Sequence, residues 1–238
     1  MKKLLLIAFL SLLIAGLNSC GKDSSGDTNH YTVYKVPVDL VSKYVAFAFS
    51  NATTGINYHI EKAAGYAARG ASSHDSSFLL KKLDSSATVK YSYQVNYTYS
   101  VVTTSPFKSE FDYSSDGSFS SSSMQSQDSQ QGDWYITIQD QSHFDLNGSG
   151  TDGGAQFAPL DKVPFQSRIT YSLQDVLVDK MTDMVSSGSV QITVTGGGPA
   201  GVQFTYSGTL TFSGNHLAVL VLSGSTYNLN LTTGGISK

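Results

Sequence analysis

Cysteine is almost missing from this 238-residue sequence, since Cys20 is the single one. A chain with one cysteine forms no internal disulfide, so a domain outside the cytoplasm must be stabilised by core burial. Long apolar runs are also scarce. After residue 20 no segment approaches the ~18 apolar residues that a membrane-spanning helix needs. These absences exclude a disulfide-stapled scaffold and a helical membrane protein.

Positive charge is scarce as well. The arginines are Arg69 and Arg168, and the lysines are scattered. Without Lys2 and Lys3, 13 basic and 18 acidic side chains remain, a formal net charge of −5. No basic stripe is present that could neutralise phosphates, so the sequence excludes nucleic acid as a partner.

The first twenty residues are typical of a secretory leader. Lys2 and Lys3 precede an apolar run, Leu4 to Ala15, which is too short to span a bilayer and has the length of a signal peptide core. The segment ends in Leu17-Asn18-Ser19-Cys20, which resembles the lipobox of bacterial lipoproteins. That resemblance implies cleavage before Cys20 and acylation of this residue, with residues 1–19 removed as the signal peptide.

Residues 20–30 are small and polar and predict a lipidated, flexible tether. Several acyl chains on Cys20 would anchor the protein to a membrane almost permanently. Lys22-Asp23 resembles the short charged tethers of surface-exposed lipoproteins in the Bacteroidetes, which implies display on the outer surface of the outer membrane. Display on the cell surface and on the periplasmic face both stay open. Residues 31–238 are predicted to form a single domain.

Residues 36–83 are rich in alanine and carry helical spacing. Apolar residues from Val41 to Phe49 and from Ile56 to Ala67 recur at three and four positions, which predicts one or two short helices. Asp39 is placed to cap the first helix, and Gly70 offers a stop for the second. Phe78-Leu79-Leu80 forms a further, weaker apolar cluster.

Strict alternation marks residues 89–101, where every odd position is apolar or aromatic and every even position is polar. A period of two predicts a strand with one buried face. At ~3.3 Å per residue this strand is long enough to need a bend, a bulge or a passage between sheets. Four tyrosines lie on its apolar face: Tyr91, Tyr93, Tyr97 and Tyr99. They are interpreted as core, with a ligand-stacking face as the alternative.

Turn signals divide the middle of the chain. Asp116-Gly117 predicts a two-residue hairpin, because such turns favour glycine at positive φ. Residues 127–132 (QDSQQG) are interpreted as a loop, and Asn147-Gly148 as the end of a strand region. Asp145 to Asp152 carries oxygen-bearing residues at the spacing of the front of a calcium loop, but the twelfth position is Gln156 instead of Glu.

The C-terminal third shows the clearest strands. A one-residue slip of the apolar pattern predicts a bulge near Gln174-Asp175. GGGPAG (196–201) is interpreted as a hairpin loop, and Gly208 as a bend or a close backbone approach. Leu217 to Leu222, apolar on both faces, is predicted to be a central strand. The fold class is therefore mainly β, an antiparallel β-sandwich or barrel-like meander with one or two short N-terminal helices.

Motifs of catalysis are missing. His74-Asp75-Ser76 contains the residue types of a triad, but neighbouring side chains on an extended chain diverge. The five histidines have no ligand spacing, and no pattern pairs two carboxylates. The sequence therefore assigns no catalytic, cofactor-binding or metal-binding residue, and only Cys20 as a lipid attachment site.

The whole arrangement resembles uncharacterised lipoproteins of the Bacteroidetes. The resemblance is carried by the lipobox, the alanine-rich stretch and the segments SSGSVQITVTG, FTYSGTLTFSGNHLAVLVLSG and STYNLNLTTGGIS. It implies a location and a fold, but no activity. The leading hypothesis is a non-enzymatic adhesion or binding module with a glycan or protein ligand. The alternatives are a β-barrel carrier of a hydrophobic or glycan ligand and a surface or periplasmic hydrolase.

Overall fold

The computed structural model describes residues 35–70, 72–83, 87–102 and 108–238. The predicted signal peptide, the tether and Cys20 lie outside these residues. Within them, two helices precede eleven strands. The elements are α1 (Val38–Ala48), α2 (Ile56–Ala68), β1 (His74–Lys82), β2 (Val89–Val102), β3 (Lys108–Ser121), β4 (Gln125–Ile138), β5 (His143–Ala158), β6 (Val163–Asp179), β7 (Val185–Gly197), β8 (Gln203–Phe212), β9 (Leu217–Leu222), β10 (Ser225–Asn230) and β11 (Gly235–Ser237).

The strands form one antiparallel sheet in the order of the sequence, from β1 to β11. Each strand after β1 pairs with the strand before it, so strands that are neighbours in the sequence are neighbours in the sheet. This arrangement confirms the mainly β, antiparallel fold, and within the described residues it is a single meandering sheet. Neither helix in this part of the chain is long and apolar enough to cross a membrane.

One face of the sheet is buried and the other faces solvent. Burial alternates along the long strands, as in β4, because successive side chains point to opposite faces. The buried face packs on α1, in which most side chains are inaccessible. Tyr44 of α1 contacts Phe165 on β6, and Phe47 contacts Phe119 on β3. Since α1 also contacts β9, β10 and β11, the sheet must curve around this helix.

Inward-facing glycines make room for aromatic rings on the buried face. A Cβ atom on Gly117 would lie 2.6 Å from the ring of Tyr93, and one on Gly132 would lie 2.4 Å from the ring of Tyr113. Real Cβ atoms do not come so close to other atoms, so the aromatic rings lie directly on the backbone of the neighbouring strand. Glycine inside these strands therefore serves close packing and does not end them.

Three predicted strand breaks are wrong. Asp116-Gly117 lies inside β3, residues 127–132 lie inside β4, and Asn147-Gly148 lies inside β5. Each segment lies between two paired strands, with Asn147 alone skipped in the pairing with β6, and this pairing overrides the local turn preference. At Gly148 a positive φ of 145° coincides with a register shift, so the Asn-Gly signal marks a bulge instead of an end.

The predicted helices are present, with one correction. Gly70 follows α2 with a positive φ of 58°, as its stop signal predicts. Asp39, however, does not cap α1, because Pro37 holds the cap position without a side-chain hydrogen bond. The Asp39 carboxylate instead pairs with Lys238 at 2.8 Å and accepts a hydrogen bond from Tyr227. The apolar cluster at Phe78 belongs to strand β1.

The C-terminal predictions are mostly confirmed. The register of β6 shifts after Gln174, and Asp175 has a φ of 50°, as expected of the predicted bulge. A Cβ on Gly208 would lie 1.9 Å from the Val221 carbonyl oxygen, which confirms a close backbone approach. The strand from Leu217 to Leu222 is paired on both sides, with β8 and β10, as predicted. It is not buried on both faces, however. Leu217 is 48% exposed and Val221 is 42% exposed.

Candidate functional site

Polar side chains line up in rows across the solvent face of the sheet. The antiparallel register places Asp116, Ser129, Gly153, Arg168 and Thr195 opposite one another on five successive strands, β3 to β7. The rows on either side are also built mainly from serine, threonine and glutamine. This face therefore presents hydroxyl and amide groups at the regular spacing of a β-sheet.

A groove of about 800 Å³ crosses these rows. It runs over six strands, which at ~4.8 Å per strand is a length of roughly 24 Å. Its depth comes from outward positions that carry little or no side chain, such as Gly153, Ala155 and Gly197. The longer residues that border it are Asp116, Gln131, Gln166, Arg168 and Gln203.

The groove continues into a second hollow of about 480 Å³ over β2 to β6. The two share Ser114, Gln131 and Thr151 in their linings. Asp112 and Asp133 stand directly opposite each other in this second hollow. Partial burial, together with the neighbouring Asp133, raises the pKa of the Asp112 carboxyl.

The chemistry of the groove is that of hydrogen bonding. Its charged lining residues are Asp116 and Arg168, and the Arg168 guanidinium donates to the Thr151 hydroxyl at 3.4 Å. The remaining side chains are neutral donors and acceptors. Among the described residues, neither a histidine nor an aromatic ring lines the groove. The surface can therefore bind a polar ligand through many hydrogen bonds, and it has no constellation for nucleophilic catalysis.

A smaller cleft of about 330 Å³ lies beside α2. Tyr58 and Tyr66 of α2 and Phe78 of β1 are among its walls, and Glu61 and Asp183 also line it. The Glu61 carboxylate accepts hydrogen bonds from the amides of Asn51 at 2.9 Å and Asn57 at 3.0 Å, and His216 lies 3.3 Å from it.

These contacts already use both oxygens of Glu61. Burial raises the pKa of the Glu61 carboxyl, and the neighbouring His216 opposes this shift. Glu61 is therefore held in a local network with asparagine and histidine, instead of facing a second catalytic carboxylate.

The tyrosine stripe of β2 belongs to the core. Tyr93, Tyr97 and Tyr99 are buried, and each hydroxyl has a partner inside the protein. Tyr93 donates to Asp128 at 2.9 Å, Tyr97 lies 2.8 Å from the His59 ring, and Tyr99 lies 2.8 Å from the Ser109 hydroxyl. The core interpretation of the stripe is confirmed for these three residues, while Tyr91 is half-buried.

The other sequence candidates do not form sites. His74, Asp75 and Ser76 follow one another on strand β1, so their side chains alternate between faces. Residues 145–152 belong to strand β5 and not to a loop, so Asp145 and Asp152 point to opposite faces. Sequence analysis missed two buried carboxyls, Asp128 and Asp152, because turn signals assigned their segments to loops.

The chain matches no protein family, no curated protein and no solved structure. A function has to be inferred from its own residues.

Proposed function

We propose that this chain is a membrane-anchored lipoprotein whose β domain is a binding module for an extended, polyhydroxylated ligand of the glycan type. Acyl chains on Cys20 attach the protein to the outer membrane, and the domain presents the solvent face of its sheet. The observation that carries the proposal is the 800 Å³ groove lined by hydroxyl and amide side chains.

The groove suits such a ligand for two reasons. Sugar hydroxyls donate and accept hydrogen bonds, and the serine, threonine and glutamine side chains of the groove can satisfy both roles. Arg168 stands in the middle row, and its fixed fork of donors can bind two neighbouring hydroxyl groups. Because the groove is nearly neutral, it does not favour a highly charged polymer.

The test is to block the groove without disturbing the core. A Cβ on Gly197 would meet only the flexible end of Gln203, at 2.9 Å, so Gly197→Phe can be accommodated on the solvent face. Gln191→Phe is the matched control, because it lies on the same face of β7 but outside the groove. The full-length chain in detergent is screened on a glycan array, and the bound oligosaccharide is titrated by calorimetry.

We expect Gly197→Phe to weaken binding at least ~10-fold, about 1.4 kcal/mol, with an unchanged unfolding midpoint. Gln191→Phe should bind like the natural chain. The proposal fails if no glycan binds, or if the two variants bind equally well.

The cleft beside α2 favours a second candidate, the carrier of a small ligand. Its aromatic walls, Tyr58, Tyr66 and Phe78, suit the stacking of a flat ring or a sugar face. Native mass spectrometry of the chain purified from its own host distinguishes the small-ligand carrier from the glycan-binding module. A carrier retains a small molecule through purification, and an open groove does not.

A further inference from the structure

A polar cluster lies on the buried face of the sheet, where an apolar core is expected. The register places Ser115, Gln130 and Asp152 side by side on β3, β4 and β5. Asp128 is two residues before Gln130 on the same face, so it is the diagonal neighbour of Asp152. All four side chains are buried, and Asp152 is completely inaccessible.

Most oxygen atoms of this cluster have no hydrogen-bond partner. By geometry these are both carboxylate oxygens of Asp152, Oδ2 of Asp128, Oε1 of Gln130, Oγ of Ser115 and the hydroxyl of Tyr44. Tyr44 of α1 approaches Asp152 and Ser126 approaches Asp128, and each contact lowers the pKa of its carboxyl without forming a well-aligned hydrogen bond. Asp128 Oδ1 accepts from Tyr93. A buried polar group without a partner destabilises the fold, and a charged one does so more strongly, so several such atoms in one place indicate a missing ligand.

In the described part of the chain, no positive group balances the two carboxyls. The groups that act on them are Tyr44 of α1, Tyr93 of β2, Ser126 of β4 and the negative charge of Asp116 on β3. Within the described residues, neither Asp128 nor Asp152 pairs with a lysine, arginine or histidine. Two buried carboxylates must therefore take up a proton or bind a cation.

We propose that Asp128, Asp152, Gln130, Ser115 and Tyr44 hold one calcium ion between α1 and the sheet. The available atoms are all oxygen, the element that hard cations prefer, and six of them are free, within the range of six to eight that calcium takes. Two carboxylates balance a divalent charge, whereas sodium would leave one negative charge buried. Magnesium suits the site less, because it gives up its own water reluctantly.

The donor set is unusual because it contains only two acidic side chains. No group of three or more histidine, cysteine, aspartate or glutamate side chains comes together in the described residues. The neutral amide and hydroxyl oxygens complete the shell, and Tyr44 contributes from the helix side. The ion would thus tie α1 to strands β4 and β5.

Burial raises the pKa of both carboxyls, and that of Asp128 reaches about 6. The negative charge of Asp128 raises the pKa of the Asp152 carboxyl further. The buried setting therefore penalises an uncompensated negative charge on either carboxyl.

The experiment uses the full-length chain in detergent, stripped with EDTA and desalted at pH 7.5. Calcium chloride is added during calorimetry and during thermal unfolding, and magnesium chloride is the parallel probe. We expect about one calcium ion per chain, an unfolding midpoint higher by several degrees, and a smaller response to magnesium. Asp152→Asn and Asp128→Asn should lose the calcium response. In EDTA both should melt no lower than the natural chain, because they lack a buried charge.

Asp112→Asn is the control, since it removes one member of the exposed acidic pair on the opposite face of the same sheet. It should keep the full response. Three results would overturn the proposal: no calcium binding by the stripped chain, a response that survives in Asp152→Asn, or a response lost only in Asp112→Asn. Stabilisation by acid with no effect of calcium would identify a proton-sharing pair instead and would equally end it.

Discussion

At the scale of single residues, His59 is a neutral core side chain. Its ring stacks on Tyr113 with the centroids 4.1 Å apart, and its Nδ1 lies 2.8 Å from the Tyr97 hydroxyl. In the described residues, the ring forms no ion pair with a carboxylate. Burial lowers the pKa of His59 to about 3, and the Thr54 backbone opposes the shift only in part.

This pKa predicts a loss of stability in acid. Between pH 6.5 and about 3 the unfolded chain binds a proton at His59 that the folded chain refuses. As pH decreases through this range, the free energy of unfolding therefore decreases. His59 alone accounts for up to ~1.4 kcal/mol per pH unit. His59→Gln should remove that part of the slope in urea unfolding at pH 7.5, 5.5 and 4.5. His74→Gln is the control for the loss of a histidine as such, because His74 is exposed on β1. Parallel profiles for the natural chain and His59→Gln would contradict the expectation.

At the scale of elements, strand β2 separates the roles of its two faces. Tyr93 and Tyr97 are buried, whereas Gln94 and Asn96 face solvent. Truncation of a buried aromatic residue costs about 3–5 kcal/mol, and a surface change stays within about 0.5 kcal/mol. We expect Tyr93→Ala and Tyr97→Ala to lower the unfolding midpoint sharply, and Gln94→Ala and Asn96→Ala to leave it nearly unchanged. Thermal melts of the four variants measure this, and unchanged tyrosine variants would refute the core role.

The alternation that identifies β2 is missing from β4, and this explains where sequence reasoning failed. The inward positions of the first half of β4 are Ser126, Asp128, Gln130 and Gly132. None is apolar, so a period of two in hydrophobicity cannot be seen there. The strand forms because β3 and β5 pair with it on both sides, and such long-range pairing has no local signal.

The candidate sites were invisible for a related reason. The groove depends on which residues of β3 to β8 stand opposite one another. Burial of one face specifies that register physically, but it cannot be read from a single sequence in which the turns themselves are misassigned. Gly153 and Arg168, for example, lie 15 positions apart and meet only through the pairing of β5 with β6. By contrast, the two helices and the bulge at Gln174 follow from local patterns, and those were predicted correctly. The predicted loop at residues 196–201 is only partly correct, since Gly196 and Gly197 belong to β7.

At the scale of the whole molecule, the two proposed sites share strands on opposite faces. Ser129 and Gly153 line the groove, and their sequence neighbours Asp128 and Asp152 point into the core. With one cysteine the chain has no internal disulfide to hold these strands. Packing around α1 and the proposed calcium ion, both on the buried face, would hold the strands that form the groove in their register.

The proposed acylation of Cys20 would decide whether this domain works at a membrane. Cys20→Ala removes the thiol that the lipobox resemblance assigns to acylation, so we expect no fatty-acid label and an uncleaved leader in the variant. Ser19→Ala is the matched control, because it keeps a small residue before the cysteine and should be labelled and cleaved. Metabolic labelling with a fatty acid, followed by membrane fractionation, measures both effects. Since one acyl chain binds a membrane only marginally, the natural chain should stay in the membrane fraction only if it carries several. A natural chain that takes up no label would end the lipoprotein proposal, while the groove and the calcium site would still stand on their own tests.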